Sequence, residues 1–178
     1  MIRLSLIAAL ALALAACNPS GPRAPAHPSQ SQATAQGETR QVQISAANRA
    51  EVENNIRELL TQSATQFASG GVPMVGVEDA LTAIQPGADH QYPVELVAGT
   101  NYTFVGVCDA DCTNVDLELL DGATGAVVGS DLLADDYPVV QYTPTANASY
   151  FVRLILLTCT QAPCYVGARV LQTPVGAK

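Results

Sequence analysis

Residues 105–121 read VGVCDADCTNVDLELLD, a stretch that holds two cysteines and four aspartates between two strand-like runs. Carboxylates spaced this way suit a hard cation, because calcium collects oxygen ligands from side chains, carbonyls and water. Asp109 and Asp111 alternate as calcium-loop ligands do, and Asn114, Asp116, Asp121, Asp135 and Asp136 could converge on them from neighbouring loops. An EF-hand is excluded by its own rules. Counting from Asp109, Asn114 stands where the glycine belongs and Leu120 where the bidentate glutamate belongs. A calcium site here would be irregular and weak, with a dissociation constant of roughly 0.1–1 mM. The opposing reading is that these aspartates cap their own turns, since a short carboxylate readily bonds its own backbone.

The thiols offer a second chemistry. Of five cysteines, Cys108 and Cys112 are separated as CxxxC, Cys159 and Cys164 as CxxxxC, and Cys17 stands alone near the amino terminus. Spacings of this kind fall within the loose range of structural zinc ligands. In an oxidising compartment the same four form disulfides, with three possible pairings. The local pairs, Cys108 with Cys112 and Cys159 with Cys164, are favoured because each flanks a short turn between apolar runs, where the α-carbons can approach to bridging distance. Each such loop contributes roughly 2 kcal/mol on the chain-entropy model.

Catalytic devices are not legible. The two histidines are His27, in a Pro-rich stretch, and His90, beside a turn, and there is no Gly-x-Ser-x-Gly, His-Glu-x-x-His or phosphate-cradling glycine loop. Acid pairs for glycoside hydrolysis cluster at turns, in a chain without tryptophan to line a sugar cleft. The sequence therefore predicts no enzyme activity. A formal net charge of −8 opposes nucleic acid as a partner. From residue 89 onward the only bases are Arg153, Arg169 and Lys178, so anionic headgroups would repel that part of the chain.

The elements that must position these groups begin with an export signal over residues 1–16. Met1-Ile2-Arg3 gives a short positive start, and residues 4–16 are almost wholly apolar, long enough for a secretory h-region and too short to span a bilayer. The segment closes with Leu14-Ala15-Ala16-Cys17, which resembles the bacterial lipobox. That resemblance implies cleavage before Cys17 and a thioether from its sulfur to diacylglycerol, and it leaves the other four cysteines as an even set. At about 0.8 kcal/mol per buried methylene, two or three acyl chains anchor a protein almost permanently. Asn18, where enteric bacteria place aspartate for inner-membrane retention, favours the outer membrane, facing the periplasm or the exterior.

Residues 17–43 then read as a tether, with prolines at 19, 22, 25 and 28 followed by Ser, Gln, Ala and Thr and no apolar periodicity. As a flexible coil it would span roughly 28 Å. Residues 44–71 read as an amphipathic helix. Val52, Ile56, Leu59, Leu60, Ser63 and Phe67 form one stripe, Arg49, Glu53 and Arg57 another, with Ser45 as N-cap and Gly70-Gly71 as stop. Residues 72–178 read as a β-domain, with strands at 81–85, 92–97, 102–108, 115–120, 127–130, 139–143, 149–157 and 165–171. Leu117 and Leu119 alternate with Asp116 and Glu118, and the run 149–157 is apolar enough to be a central strand covered on both sides. The predicted fold is mainly β: a jelly-roll-like β-sandwich of about eight strands preceded by one helix.

Gly87, YPVELVAGTNYTFVGV, VDLELLDGATG, DDYPVVQYTP and SYFVRL, in that order, resemble the bacterial pre-peptidase C-terminal domain over roughly residues 80–171. Asp116-x-x-Leu119, Thr143-Pro144 and Tyr150-x-Val152 carry the likeness, while Ala148-Ser149 replaces the glycine usual before the last strand. The resemblance implies a non-catalytic accessory β-sandwich for adhesion, secretion or stabilisation, with calcium bound in some relatives. The expectation for this chain is therefore a membrane-anchored envelope lipoprotein whose sandwich binds or supports an envelope protein or polysaccharide. A calcium-binding extracytoplasmic module is the alternative.

Overall fold

A computed structural model describes residues 39–173. The expected export signal, Cys17 and the expected tether up to residue 38 lie outside the described residues. The first described segment departs from the tether expectation. Arg40–Gln41 forms strand β1, pairing in parallel with β10 (Gln161–Ala162). Nothing in the polar run QVQ marks a strand, because it is held by backbone bonds to a distant loop: Arg40 N donates to Thr160 O and Val42 N to Ala162 O, both at 2.9 Å.

Helix α1 spans Ala46–Phe67, and the Ser45 side chain accepts from Asn48 N as the N-cap. Its buried stripe is Ile56, Leu60, Ser63 and Ala64, with Val52 and Leu59 half-covered. Of the expected charged ladder, Glu53 and Arg57 meet at 4.0 Å. The chain turns away at Gly70, whose φ of 80° favours a residue without a β-carbon.

Eight longer strands follow where the alternation placed them: β3 (Ala80–Ile84), β4 (Asp89–Leu96), β5 (Asn101–Cys108), β6 (Cys112–Asp121), β7 (Val127–Asp131), β8 (Val139–Tyr142), β9 (Ala148–Cys159) and β11 (Cys164–Thr173). A two-residue strand, β2 (Val72–Pro73), adds to the edge of β11. One sheet runs β2-β11-β5-β8 with β3 also on β11, the other β4-β9-β6-β7. Numbering only the eight long strands, the orders are first-eighth-third-sixth and second-seventh-fourth-fifth, the double Greek key of a jelly roll. All pairings within these two sheets are antiparallel.

Side-chain period decides what each face does. Val115, Leu117 and Leu119 of β6, Tyr150, Val152, Leu154 and Leu156 of β9, and Tyr102 and Phe104 of β5 point between the sheets and form the main core. The opposite face of β5 and β11, with Val105, Val107, Tyr165 and Leu171, receives Ile56, Leu60 and Ala64 of α1. The helix comes this close because residue 167 is glycine: a β-carbon there would collide with Ile56 Cγ2. Full burial of Ile56 and Leu60 is worth about 1.5–3 kcal/mol apiece, which fixes α1 to the sheet. Arg169 adds a polar anchor, donating from Nε and Nη2 to the two carboxylate oxygens of Asp79 at 2.8 Å each and from Nη1 to Thr61 Oγ1 at 3.1 Å.

Candidate functional site

One end of the sandwich concentrates the sulfur and much of the acid. Cys108 closes β5 and Cys112 opens β6, and they are joined across 5.9 Å of α-carbon separation. Cys159 closes β9 and Cys164 opens β11, joined across 6.1 Å. Cys112 and Cys159 are register partners on neighbouring strands, so the two bridges lie side by side. The thiolates that a zinc site would need are consumed in these bonds.

The acidic turn between the first pair is a clasp. Asp109 Oδ2 accepts Tyr165 N at 2.7 Å and its Oδ1 accepts Asp111 N at 3.3 Å, while its main-chain N–H donates to Tyr165 O at 2.9 Å. Asp111 Oδ1 accepts Gln161 Nε2 at 2.7 Å, and its carbonyl accepts Thr160 N at 2.8 Å. The β5–β6 turn is thereby tied to the loop that carries the second disulfide. Burial raises the Asp109 pKa from its ordinary range, against the opposing pull of its backbone hydrogen bonds.

The proposed calcium ligands are not brought together. Asp109 and Asp111 precede β6, Asn114 and Asp116 stand buried within it, and Asp121 closes it. At about 3.3 Å per residue, Asp111 and Asp121 are roughly 30 Å apart along that strand. Asp121 Oδ1 caps its own turn, accepting Thr124 N at 2.8 Å, Thr124 Oγ1 at 2.7 Å and Ala123 N at 3.1 Å, and these bonds, Thr124 first, lower its pKa. Asp135 Oδ1 accepts Tyr137 N at 3.2 Å, and Asp136 lines a cavity beside α1. Among the described residues no group of three or more His, Cys, Asp or Glu side chains is placed to hold a metal ion. The seven-residue set is therefore corrected: the length of β6 keeps Asp121 away from Asp109 and Asp111, so the loops do not converge on one site, and Asp109, Asp121 and Asp135 accept from the backbone of their own turns.

Two arrangements escaped the sequence. On the outer face of the four-stranded sheet, Arg153 donates from Nε to Asp89 Oδ2 at 3.2 Å and from Nη1 to Glu118 Oε2 at 3.1 Å. The available signal was an arginine inside an otherwise apolar strand, which requires carboxylates on the flanking strands. The second is the cavity of about 360 Å³ between α1 and the five-stranded sheet, lined by Leu59, Ser63, Phe67, Val107, Asp136 and Tyr137 among others. The Phe67 and Tyr137 rings stack at 5.9 Å beside it. His90 lies elsewhere, on β4, stacked on Tyr92 with ring centroids 6.2 Å apart. Burial lowers its pKa, opposed by the Asp89 charge.

No protein-family model matches the chain, and no curated protein matches it. The fold and the sulfur geometry define a disulfide-clasped jelly roll with a docked helix.

Proposed function

We propose that this chain is a non-catalytic, lipid-anchored protein of the bacterial cell envelope, whose jelly roll is a binding or structural module. The observation that carries the reading is the partition of cysteines. Four pair off within the domain, and the fifth, Cys17, stands in the lipobox-like Leu14-Ala15-Ala16-Cys17. Disulfides belong to oxidising compartments, and lipidation gives the odd cysteine of an exported chain a use. The resemblance to the pre-peptidase C-terminal domain, carried by Asp116-x-x-Leu119, Thr143-Pro144 and Tyr150-x-Val152, implies an accessory module without catalytic residues. Asn18 favours the outer membrane, and the acidic balance disfavours nucleic acid, leaving an envelope protein or polysaccharide as the partner.

Intact mass measurement of protein purified from its own host's membranes tests this. The expected mass is that of residues 17–178 with two disulfides, plus a diacylglycerol thioether and an amide-linked acyl chain. An unmodified amino terminus overturns the anchor, and four alkylatable thiols without prior reduction overturn the compartment. Cys17→Ser is expected to move the protein from the membrane to the soluble periplasmic fraction. Crosslinking in native membranes then identifies the partner class.

A further inference from the structure

The cavity of about 360 Å³ between α1 and the five-stranded sheet falls within the roughly 300–1,000 Å³ typical of small-molecule sites. One wall is a single face of α1, where Leu59, Ser63 and Phe67 recur at every fourth position. At about 1.5 Å per residue that face runs roughly 12 Å, room for one aromatic ring with a short chain. The facing wall comes from Val107, near the end of β5, and from Asp136 and Tyr137, in the loop between β7 and β8.

Ser63 is the residue that packing leaves unexplained. Thr61 and Thr65, two positions to either side on α1, each return a hydroxyl to the carbonyl four residues back at 2.8 Å, Thr61 to Arg57 and Thr65 to Thr61. Ser63 is 5% exposed, yet among the described residues its Oγ has no hydrogen-bond partner. Buried hydroxyls are normally satisfied, so one left open on a cavity wall marks a place for a polar atom that comes from outside the chain.

The charge of the ligand follows from the same walls. Asp136 is the only charged side chain among the described residues that line the cavity. Helix α1 ends at Phe67 and its last turn carries no basic residue, so the negative end of the helix dipole beside the cavity is not offset by the helix's own side chains. The Phe67 and Tyr137 rings stack at 5.9 Å with 10° between their planes, and Tyr137 is 48% exposed, which sets an aromatic surface at the rim. Carboxylate, helix C-terminus and aromatic face all attract a cation and all oppose an anion.

We propose that this cavity binds a small arylalkylammonium ligand, with its ammonium on the Asp136 carboxylate and the Tyr137 ring, its aromatic body over Leu59 and Val107, and a ring hydroxyl on Ser63 Oγ. The site lies within the described domain and does not depend on the lipid anchor, so its failure leaves the envelope role standing.

Tyramine is the probe, titrated into the full chain with its disulfides intact and followed by amide chemical shifts. Saturable binding is expected with a dissociation constant below about 1 mM, with shifts confined to the second half of α1, the end of β5 and the β7–β8 loop. Asp136→Asn, at an exposed position, is expected to weaken binding about ten-fold, and para-hydroxyphenylacetate, which carries a carboxylate in place of the ammonium, is expected not to bind. Phenethylamine, which lacks the hydroxyl, is expected to bind about ten-fold more weakly than tyramine, and Ser63→Ala to abolish that difference without lowering the melting temperature of the unliganded chain. Failure to saturate, shifts centred elsewhere, equal affinity for the carboxylate, or unchanged affinity in Asp136→Asn overturns the proposal. Equal affinity for tyramine and phenethylamine in the native chain, or a melting temperature several degrees lower in Ser63→Ala, overturns the role given to Ser63.

Discussion

Asp109 shows how one side chain can look like a ligand and act as a fastener. Its carboxylate holds Tyr165 N and Asp111 N, so Asp109→Ala leaves the buried Tyr165 amide without its acceptor. That substitution is expected to cost about 1–3 kcal/mol, read as a lower urea midpoint with an unchanged slope. Asp121→Ala, at an exposed turn, is expected to cost less. His90 gives the pH dependence. Its folded pKa is lowered, chiefly by burial, while in the unfolded chain it stands near 6.5. Below that value the unfolded chain takes up a proton that the folded one resists, so this contribution is intact above about pH 7 and is lost as pH falls through 6.5. Urea midpoints between about pH 7.5 and pH 5.5 are expected to fall for the native chain and to flatten for His90→Gln. At this scale the residue types were legible and their distances were not. The alternation Asp109, Asp111, Asp116 suggests convergence, but the length of β6 separates its ends.

The elements were more readable, because each long one repeats its signal. The stripe of α1, its Ser45 cap and the period-two runs of β3 to β9 and β11 follow from side-chain spacing alone. The short strands β1, β2 and β10 carry no pattern, since two residues cannot alternate and their pairing depends on where another part of the chain lies. Docking of α1 onto the sheet was legible in its apolar stripe, whereas the details that seat it, the missing β-carbon of Gly167 and the Asp79–Arg169 pair, were not. Gly167→Ala is expected to push Ile56 off the sheet and destabilise the fold by about 1–3 kcal/mol, with the loss concentrated in α1 by hydrogen exchange. Gly70→Ala, strained by its positive φ but free of steric contact, is expected to cost about 1 kcal/mol without selective exposure of the helix.

For the whole molecule, alternation gave each strand a face but not a neighbour, so the sandwich was legible while membership of its two sheets was not. Asp116 and Glu118 illustrate the limit. They do turn away from Leu117 and Leu119, as the pattern predicts, yet both are fully buried. With the acidic residues dispersed along β6 and its loops, the melting temperature is expected to stay flat from metal-free buffer to several millimolar calcium, and a rise of several degrees would restore a bound ion. Reduction of the disulfides is expected to lower stability by roughly 2 kcal/mol for each short loop opened. The place where the N-terminal chain joins the domain has a mechanical consequence. Tension pulled through Thr39 meets β1, which lies parallel to β10 inside the loop closed by Cys159 and Cys164. The backbone bonds that tie β1 to that covalently closed loop must therefore part before a pull on the N-terminal side reaches α1.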